Sequence, residues 1–412
     1  MSCSRQKRVD GRVPLVILAI FFWIYLVLGL AYWGAAGFFT WLSTRRVRLD
    51  PALPGVEGNL PSVLVLVPAR NESRAIEACL RSLLAQDYPR LRILLADDGS
   101  TDGTREIAER IADGEDRLDV IAAGELPDGW MGKCWALHRA YEEARTRKIA
   151  NGSLLLFTDA DIFFHPRTVS IAVRRLLDEK LDLIGLLPRT LNGSFWERTI
   201  QPAVIHGLLV LGAITELFPA KDYPRIASGA FILIRPEFYR IAGGHFALRH
   251  KLIEDIALAT TVHMRGGKTA AFHAPDLIRL RMYHNLGEIW RGWAKNFFAG
   301  TNDNLRRSIE LAAMFLLFSV LPVFLFPALL ARSLGTGQGW WWAASAGLLY
   351  GAMTAVRAAG NRLTGESPIY AFLHPLAGVF LAGVVIASTW SRRFGRGALW
   401  RGRRYPIRRT EP

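Results

Sequence analysis

Asp159 and Asp161 stand one residue apart at the end of an apolar run, in the stretch LLLFTDADIFFHP that spans residues 154–166. Two carboxylates this close repel each other. They become favourable when a divalent cation sits between them and something anionic. Mg2+ and Mn2+ prefer oxygen ligands, and Mg2+ is usually held by carboxylates together with substrate phosphates. A strand that ends in Asp-x-Asp therefore suits a metal-bound diphosphate, whose charge as a leaving group the cation would neutralise. Two further polar clusters end apolar runs: Pro68-Ala69-Arg70-Asn71-Glu72 and Asp97-Asp98-Gly99-Ser100. Alone, each feature has a plain reading. Asp-x-Asp is a common exposed turn, Asp97-Asp98-Gly99-Ser100 a turn with a helix cap, Lys133 a surface lysine, and Glu254-Asp255 a solvated face. Cys134 and His138 lie four apart on an expected helix, but no third ligand accompanies them.

The elements that must position these residues follow from periodicity. After the Pro/Gly linker at 51–61, strands are expected at Val63–Val67, Leu91–Ala96, Leu118–Ala122 and Leu154–Phe157. Helices are expected between them at Glu72–Ala85, Thr104–Ala112 and Lys133–Ala150. Alternating strands and helices imply a mostly parallel sheet covered on both faces. Ligands of such sheets bind beyond the carboxyl ends of the strands, where the three polar clusters would line one crevice.

The rest of the chain is of a different kind. Hydrophobic residues make up 51% of the 412, the mean hydropathy is +0.18 and the net charge is +15. Val13–Leu42 is apolar and uncharged. It is too long for a cleaved signal peptide and reads as an anchor, since about 20 apolar residues cross a bilayer. Further spans are expected at about 311–330, 340–359 and 369–390. The first contains Pro322 and Pro327, which need help from neighbours; the second contains Arg357, which must snorkel or find a partner. The segment 203–218 is short for a span and is expected as a buried or interfacial helix. Residues 285–300 mix aromatic and cationic residues as an interfacial helix does. The tail is rich in arginine, among them Arg396, Arg401, Arg403, Arg408 and Arg409. Directly after apolar segments, this charge points to anionic headgroups and not to nucleic acid. The three cysteines form no disulfide framework or metal pair.

VPARNES at 67–73, ADDGSTDGT at 96–104, GKCWAL at 132–137 and FTDADIFFHP at 157–166 resemble family 2 glycosyltransferases in order and spacing. SGAFILIRPEFYRIAGG at 228–244, IED at 253–255 and EIWRGW at 288–293 continue that order. The set is similar to membrane-bound lipid glycosyltransferases of the ceramide-glucosyltransferase-like type, and to hopene-associated ones in particular. The resemblance implies an α/β, Rossmann-like GT-A fold at 51–284 between an N-terminal anchor at 1–50, an interfacial helix at 285–310 and a C-terminal membrane region at 311–412. It implies a nucleotide-sugar donor, commonly a UDP-sugar, a lipid acceptor such as a hopanoid, and Mg2+ or Mn2+. Pro68, Ala69 and Glu72 match the loop beside the nucleobase and ribose, Asp97 and Asp98 the pair that holds uridine, and Lys133 the Gly-Lys motif near the donor. Asp159 and Asp161 match the metal motif, with Asp161 the direct ligand and Asp159 either a second ligand or a contact to ribose; Asp255 matches the catalytic base. Arg291 and Trp293 correspond to the element near diphosphate and acceptor, with two departures: Glu288 replaces Gln, and Gly292 separates Arg291 from the tryptophan.

The expected activity is inverting sugar transfer in the inner membrane, with the catalytic part facing the cytoplasm. Three full spans after it would leave the basic tail outside, so one segment, 311–330 or the one with Arg357, is expected to be re-entrant. The rivals are a processive polysaccharide synthase, for which few spans follow the sheet, and a non-catalytic scaffold, against which Asp159, Asp161 and Asp255 count. A nucleotidyltransferase lacks its Gly-rich loop here. No protein partner is inferable.

Overall fold

The computed structural model describes residues 12–45, 48–56, 58, 60–149, 152–217, 225–300, 304–393, 398–400 and 403–405. Arg396, Arg401, Arg408 and Arg409, singled out above, lie outside the described residues, as does the last residue of the segment 203–218. Ten strands build the sheet region: β1 (Val63–Ala69), β2 (Leu91–Asp97), β3 (Leu118–Ala122), β4 (Leu154–Phe157), β5 (Ile162–Phe164), β6 (Leu183–Leu187), β7 (Arg189–Thr190), β8 (Ile232–Ile234), β9 (Thr269–His273) and β10 (Ile278–Leu280). Seven form one sheet in the order β3-β2-β1-β4-β8-β6-β9. The first four run parallel, and β8 is antiparallel to both neighbours. Continuous apolar runs such as Val63–Val67 and Leu154–Phe157 are buried on both faces, as central parallel strands require. The result is the mostly parallel, helix-covered sheet that the resemblance implies. A small sheet, β5-β10-β7, stands beside it.

The register sets the crevice. β1 pairs Ala69 with Asp97 of β2 and Leu66 with Phe157 of β4. The three polar clusters therefore leave neighbouring strands at one end of the sheet. The expected helices are present at Ile76–Leu84, Thr104–Ala112 and Gly132–Thr146. The first begins later than its periodicity suggests, because residues 72–75 form a turn closed by Ala75 N–H on the Glu72 carbonyl at 2.9 Å. The third ends early, where Lys148 takes a left-handed φ of 60°.

Four helical segments are long and apolar enough to cross a membrane: Val16–Ser43, Phe195–Thr215, Leu305–Thr336 and Pro368–Ser391. Two differ from expectation. The segment expected at 203–218 starts earlier, at Phe195, which makes it long enough; the helix Trp340–Thr364 does not reach the apolarity of the four. The boundary expected at 310 falls inside the helix Leu305–Phe315, which runs through a π-helical stretch, Leu316–Val320, into Leu321–Thr336. Pro322 explains the irregularity. It has no N–H for the carbonyls one turn before it. Trp33 Nε1 donates instead to the Phe318 carbonyl at 2.9 Å, and the Tyr25 hydroxyl to that of Leu317 at 2.8 Å. Arg357, buried in Trp340–Thr364, finds the Thr199 carbonyl at 3.1 Å.

The ends of these segments meet the sheet region at several points. At one end of Phe195–Leu217, Glu197 pairs with Arg281 at 2.9 Å; at the other, Arg225 Nη1 donates to the Thr215 carbonyl at 3.4 Å while its backbone N–H donates to Thr260. Gly365 accepts from Arg189 at 3.3 Å, Glu366 accepts from Asn192 at 3.3 Å, and Ser388 donates to the Ala294 carbonyl.

Candidate active site

The first wall is built by the loops after β1 and β2. Asn71 takes a left-handed φ of 54° and turns the chain back. The loop's N–H groups then bond across: Asn71 to Ser100 Oγ at 3.0 Å, Glu72 to Thr104 Oγ1 at 2.7 Å and Ser73 to Asp102 Oδ2 at 3.0 Å. Burial pushes the Asp102 carboxyl up, but donors from Thr104 and Ser73 outweigh it and hold it at about 2. Asp97 is buried and spent on the turn, accepting from the N–H groups of Gly99 and Ser100. Asp98 differs. Its N–H donates to the Ala69 carbonyl at 2.8 Å, Arg403 donates to its Oδ2 at 2.5 Å, and Arg70 donates to its backbone carbonyl. Its Oδ1 is buried with no hydrogen-bond partner among the described residues. A buried acceptor left open at a strand end is costly unless a ligand completes it. Pro68 and Ala69 end β1 on this wall.

The second wall is an ion network. Lys133, at the start of the helix Gly132–Thr146, places Nζ 2.5 Å from Asp159 Oδ1 and 2.6 Å from Glu254 Oε1. Burial opposes its charge, yet Asp159, Glu254 and Asp255 together hold the ammonium well above its usual range. Asp255 sits in the first turn of the helix Glu254–Met264; its Oδ2 accepts from Gly229 N–H at 2.8 Å and its Oδ1 from its own neighbour Ile256 at 2.8 Å. Burial, then the charge of Glu254, pushes the Asp255 carboxyl up to about 6. Gly229 is the keystone: a Cβ there would lie 2.5 Å from Lys133 Nζ and 2.9 Å from Asp159 Oδ2. Beneath, the buried Cys79 thiol donates to the Asp159 carbonyl at 3.7 Å.

The structure thus brings Lys133, Asp159 and Asp255 together and adds two residues not expected there. Glu254 is the second anchor of Lys133. Lys295, on the helix Leu286–Gly300, is pulled down by burial while Glu254, Asp159 and Asp255 act against it. A lysine among the aromatics of 285–300 signals only an interfacial helix, and nothing in the sequence ties it to the cluster. Asp161 is half-buried just before β5. Arg291 is exposed on its helix. Trp293 does not meet its expectation. It is buried with Ile200, Ile289 and Phe380, its indole N–H donating to Gln201 at 2.7 Å, so it holds helices together. Gly292 gives the reason for the departure from the family pattern, since any side chain there would collide with the Tyr283 ring. Cys134 donates to the Leu248 carbonyl at 3.4 Å and His138 stacks on Trp130, so no Cys-His couple forms.

The donor set suits a hard cation only in part by itself. Asp159 and Asp161 offer half-buried carboxylate oxygens, the ligand type of Mg2+ and Mn2+. Among the described residues no group of three or more His, Cys, Asp or Glu gathers to hold a metal. These residues fit a cation whose remaining positions go to water and to phosphate oxygens.

Comparison with known proteins gives consistent results. Residues 64–256 match the model of Glycosyl transferase family 2. The chain is 25% identical over 366 residues to the 4,4'-diaponeurosporenoate glycosyltransferase of Staphylococcus aureus, covering 86% of this chain and 90% of that one. Among solved structures, the mannosyltransferase of Pyrobaculum calidifontis, in complex with GDP-Man and Mn2+, aligns with a TM-score of 0.52 at 20% identity. That alignment covers 90% of this chain and 98% of the other.

Proposed function

We propose that this chain, a glycosyltransferase whose residues 64–256 match the family 2 model, moves a sugar from a UDP-sugar to a lipid at the membrane surface, with inversion. The observation that supports this most is the network in which Lys133 ties Asp159 to Glu254 beside a carboxyl, Asp255, held near neutrality. Asp98 Oδ1, lacking a donor, suits an N–H of the nucleobase, with Asp97, Pro68, Ala69 and Glu72 around it. Asp161 and Asp159 would hold Mg2+ or Mn2+, which when bound neutralises charge on the departing nucleoside diphosphate. Lys133 and Arg291 supply fixed positive charge to phosphate oxygens. The phosphates compete with Asp159 for the Lys133 ammonium, so donor binding and the network are coupled.

Asp255 takes the proton of the acceptor hydroxyl as the new bond to the anomeric carbon forms. A carboxyl near 6 is ionised at neutral pH yet basic enough to accept that proton. Displacement in one step inverts the anomeric centre. The acceptor is a large apolar lipid: a hopanoid by the resemblance, while the relative in Staphylococcus aureus is named for 4,4'-diaponeurosporenoate. We place the enzyme in the inner membrane with residues 51–284 facing the cytoplasm, where nucleotide sugars are found. Membranes holding the chain, incubated with radiolabelled UDP-sugars, should place label in a chloroform-soluble product that vanishes with EDTA and returns with Mn2+ or Mg2+. Lipid label that survives chelation would overturn the metal assignment, and label found only in polymer would point to a polysaccharide synthase.

A further inference from the structure

Phe195, Ile369, Tyr370, Phe372 and Leu373 line a groove of about 350 Å³, large enough for a ligand's apolar part. Ile369 is 69% exposed and Phe372 60%. Exposed apolar side chains are ordinary on a lipid-facing helix. This groove is not in the middle of one. It lies where membrane helices meet the small sheet, beside the contacts of Glu366 with Asn192 and of Gly365 with Arg189. Its rim is polar: Arg198 is hydrogen-bonded to the Tyr370 side chain, and Tyr370 in turn lies against Phe195, ring centroids 6.5 Å apart.

The groove also leads to the reaction centre. Phe195 begins its helix directly after the loop 191–194, which follows Thr190 of β7. In the small sheet Thr190 stands in one row with Leu280 and Ile162. Ile162 follows Asp161. Two strand spacings, roughly 10 Å, therefore separate the loop at the groove's mouth from the backbone of the metal motif.

We infer that this groove holds the apolar tail of the lipid acceptor, its polar end passing the Arg198–Tyr370 rim and the loop 191–194 toward Asp161. The inference rests on the transferase reading for its purpose, but binding of an apolar chain can be measured without transfer. The full chain in phosphatidylcholine nanodiscs is irradiated with hexadecanol bearing a diazirine near its methyl end, and labelled peptides are mapped by mass spectrometry. Label should fall on Phe195 and residues 369–373 and drop about tenfold with excess plain hexadecanol, the loss expected from a competed site. Label on the exposed Val27 and Leu334 should not be competed. Ile369→Trp should abolish the competed label at Phe195, and Ile369→Leu should keep it. Groove label no more competable than that at Val27, or unchanged in Ile369→Trp, would overturn the inference. A chain that transfers sugar yet shows no competed label sinks the groove alone; one that shows it yet transfers nothing sinks the transferase reading alone.

Discussion

Asp255 carries the sharpest prediction at the scale of single residues. Burial, and after it the neighbouring charge of Glu254, raises its carboxyl to about 6. A base acts in its ionised form, so kcat/KM should fall as pH drops through about 6, where an ordinary carboxylate would stay active to about 4. A profile flat to pH 5 would remove Asp255 from that role. Gly229→Ala is expected to lower transfer by about a hundredfold with the fold retained, since its Cβ would displace Lys133 and Asp159 and misplaced reacting groups cost that much. Lys133, Asp159 and Asp255 were legible in the sequence because each stands in a motif. The ion pair of Lys133 with Glu254 was not, because it joins two helix starts far apart in the chain whose meeting depends on Gly229. Trp293 is the converse case: its motif position suggested a place near diphosphate and acceptor, while its burial against Gln201 is set by a fold no local pattern encodes.

At the scale of elements, the proline-bearing span shows how one helix repairs another. Pro322 and Pro327 showed that the span expected at 311–330 would need help from neighbours, but not that Trp33 and Tyr25 supply it, since nothing local relates the two segments. Trp33→Phe keeps an aromatic side chain but removes the N–H and part of the buried indole, so it should cost at least about 1 kcal/mol, read as a lower melting temperature in detergent. In a Pro322→Ala background the cost should shrink, because the substituted residue offers its own backbone N–H to the same carbonyl. Equal losses in both backgrounds would mean the Trp33 bond does not serve the proline gap. The strands β1 to β4 needed no such repair; their apolar runs and turn residues gave existence and order together. Only their flanking helix ends moved by a few residues, where loop hydrogen bonds or a left-handed residue took over from periodicity.

For the whole molecule, the contacts favour a topology that charge alone left unresolved. The helix Phe195–Leu217 touches the sheet region at both ends; the stretch 365–388 touches it through Gly365 and Glu366, and touches the helix Leu286–Gly300 through Ser388. We propose that neither crosses fully, although both are long and apolar enough to do so. On that reading the crossings are Arg12–Arg45, Leu305–Thr336 and the less apolar Trp340–Thr364, with the Phe22 ring 4.6 Å from that of Trp342 at the shared far end of the first and last. We propose on these contacts that the re-entrant segment is 365–388, in place of the 311–330 run or the one with Arg357. Arg403 on Asp98 agrees, since it requires the tail on the side of the sheet. In sealed inverted vesicles, where the cytoplasmic face is outward, a C-terminal tag should be open to protease and an N-terminal tag protected; the reverse pattern would refute this arrangement. What joins the scales is the claim that the network around Asp255 performs lipid-directed sugar transfer. Asp255→Asn, assayed in membranes for chloroform-soluble label from a UDP-sugar and in parallel for UDP binding, tests it most directly. Transfer is expected to fall by at least about a hundredfold with UDP affinity changed less than about twofold; transfer at the wild-type rate would contradict the account.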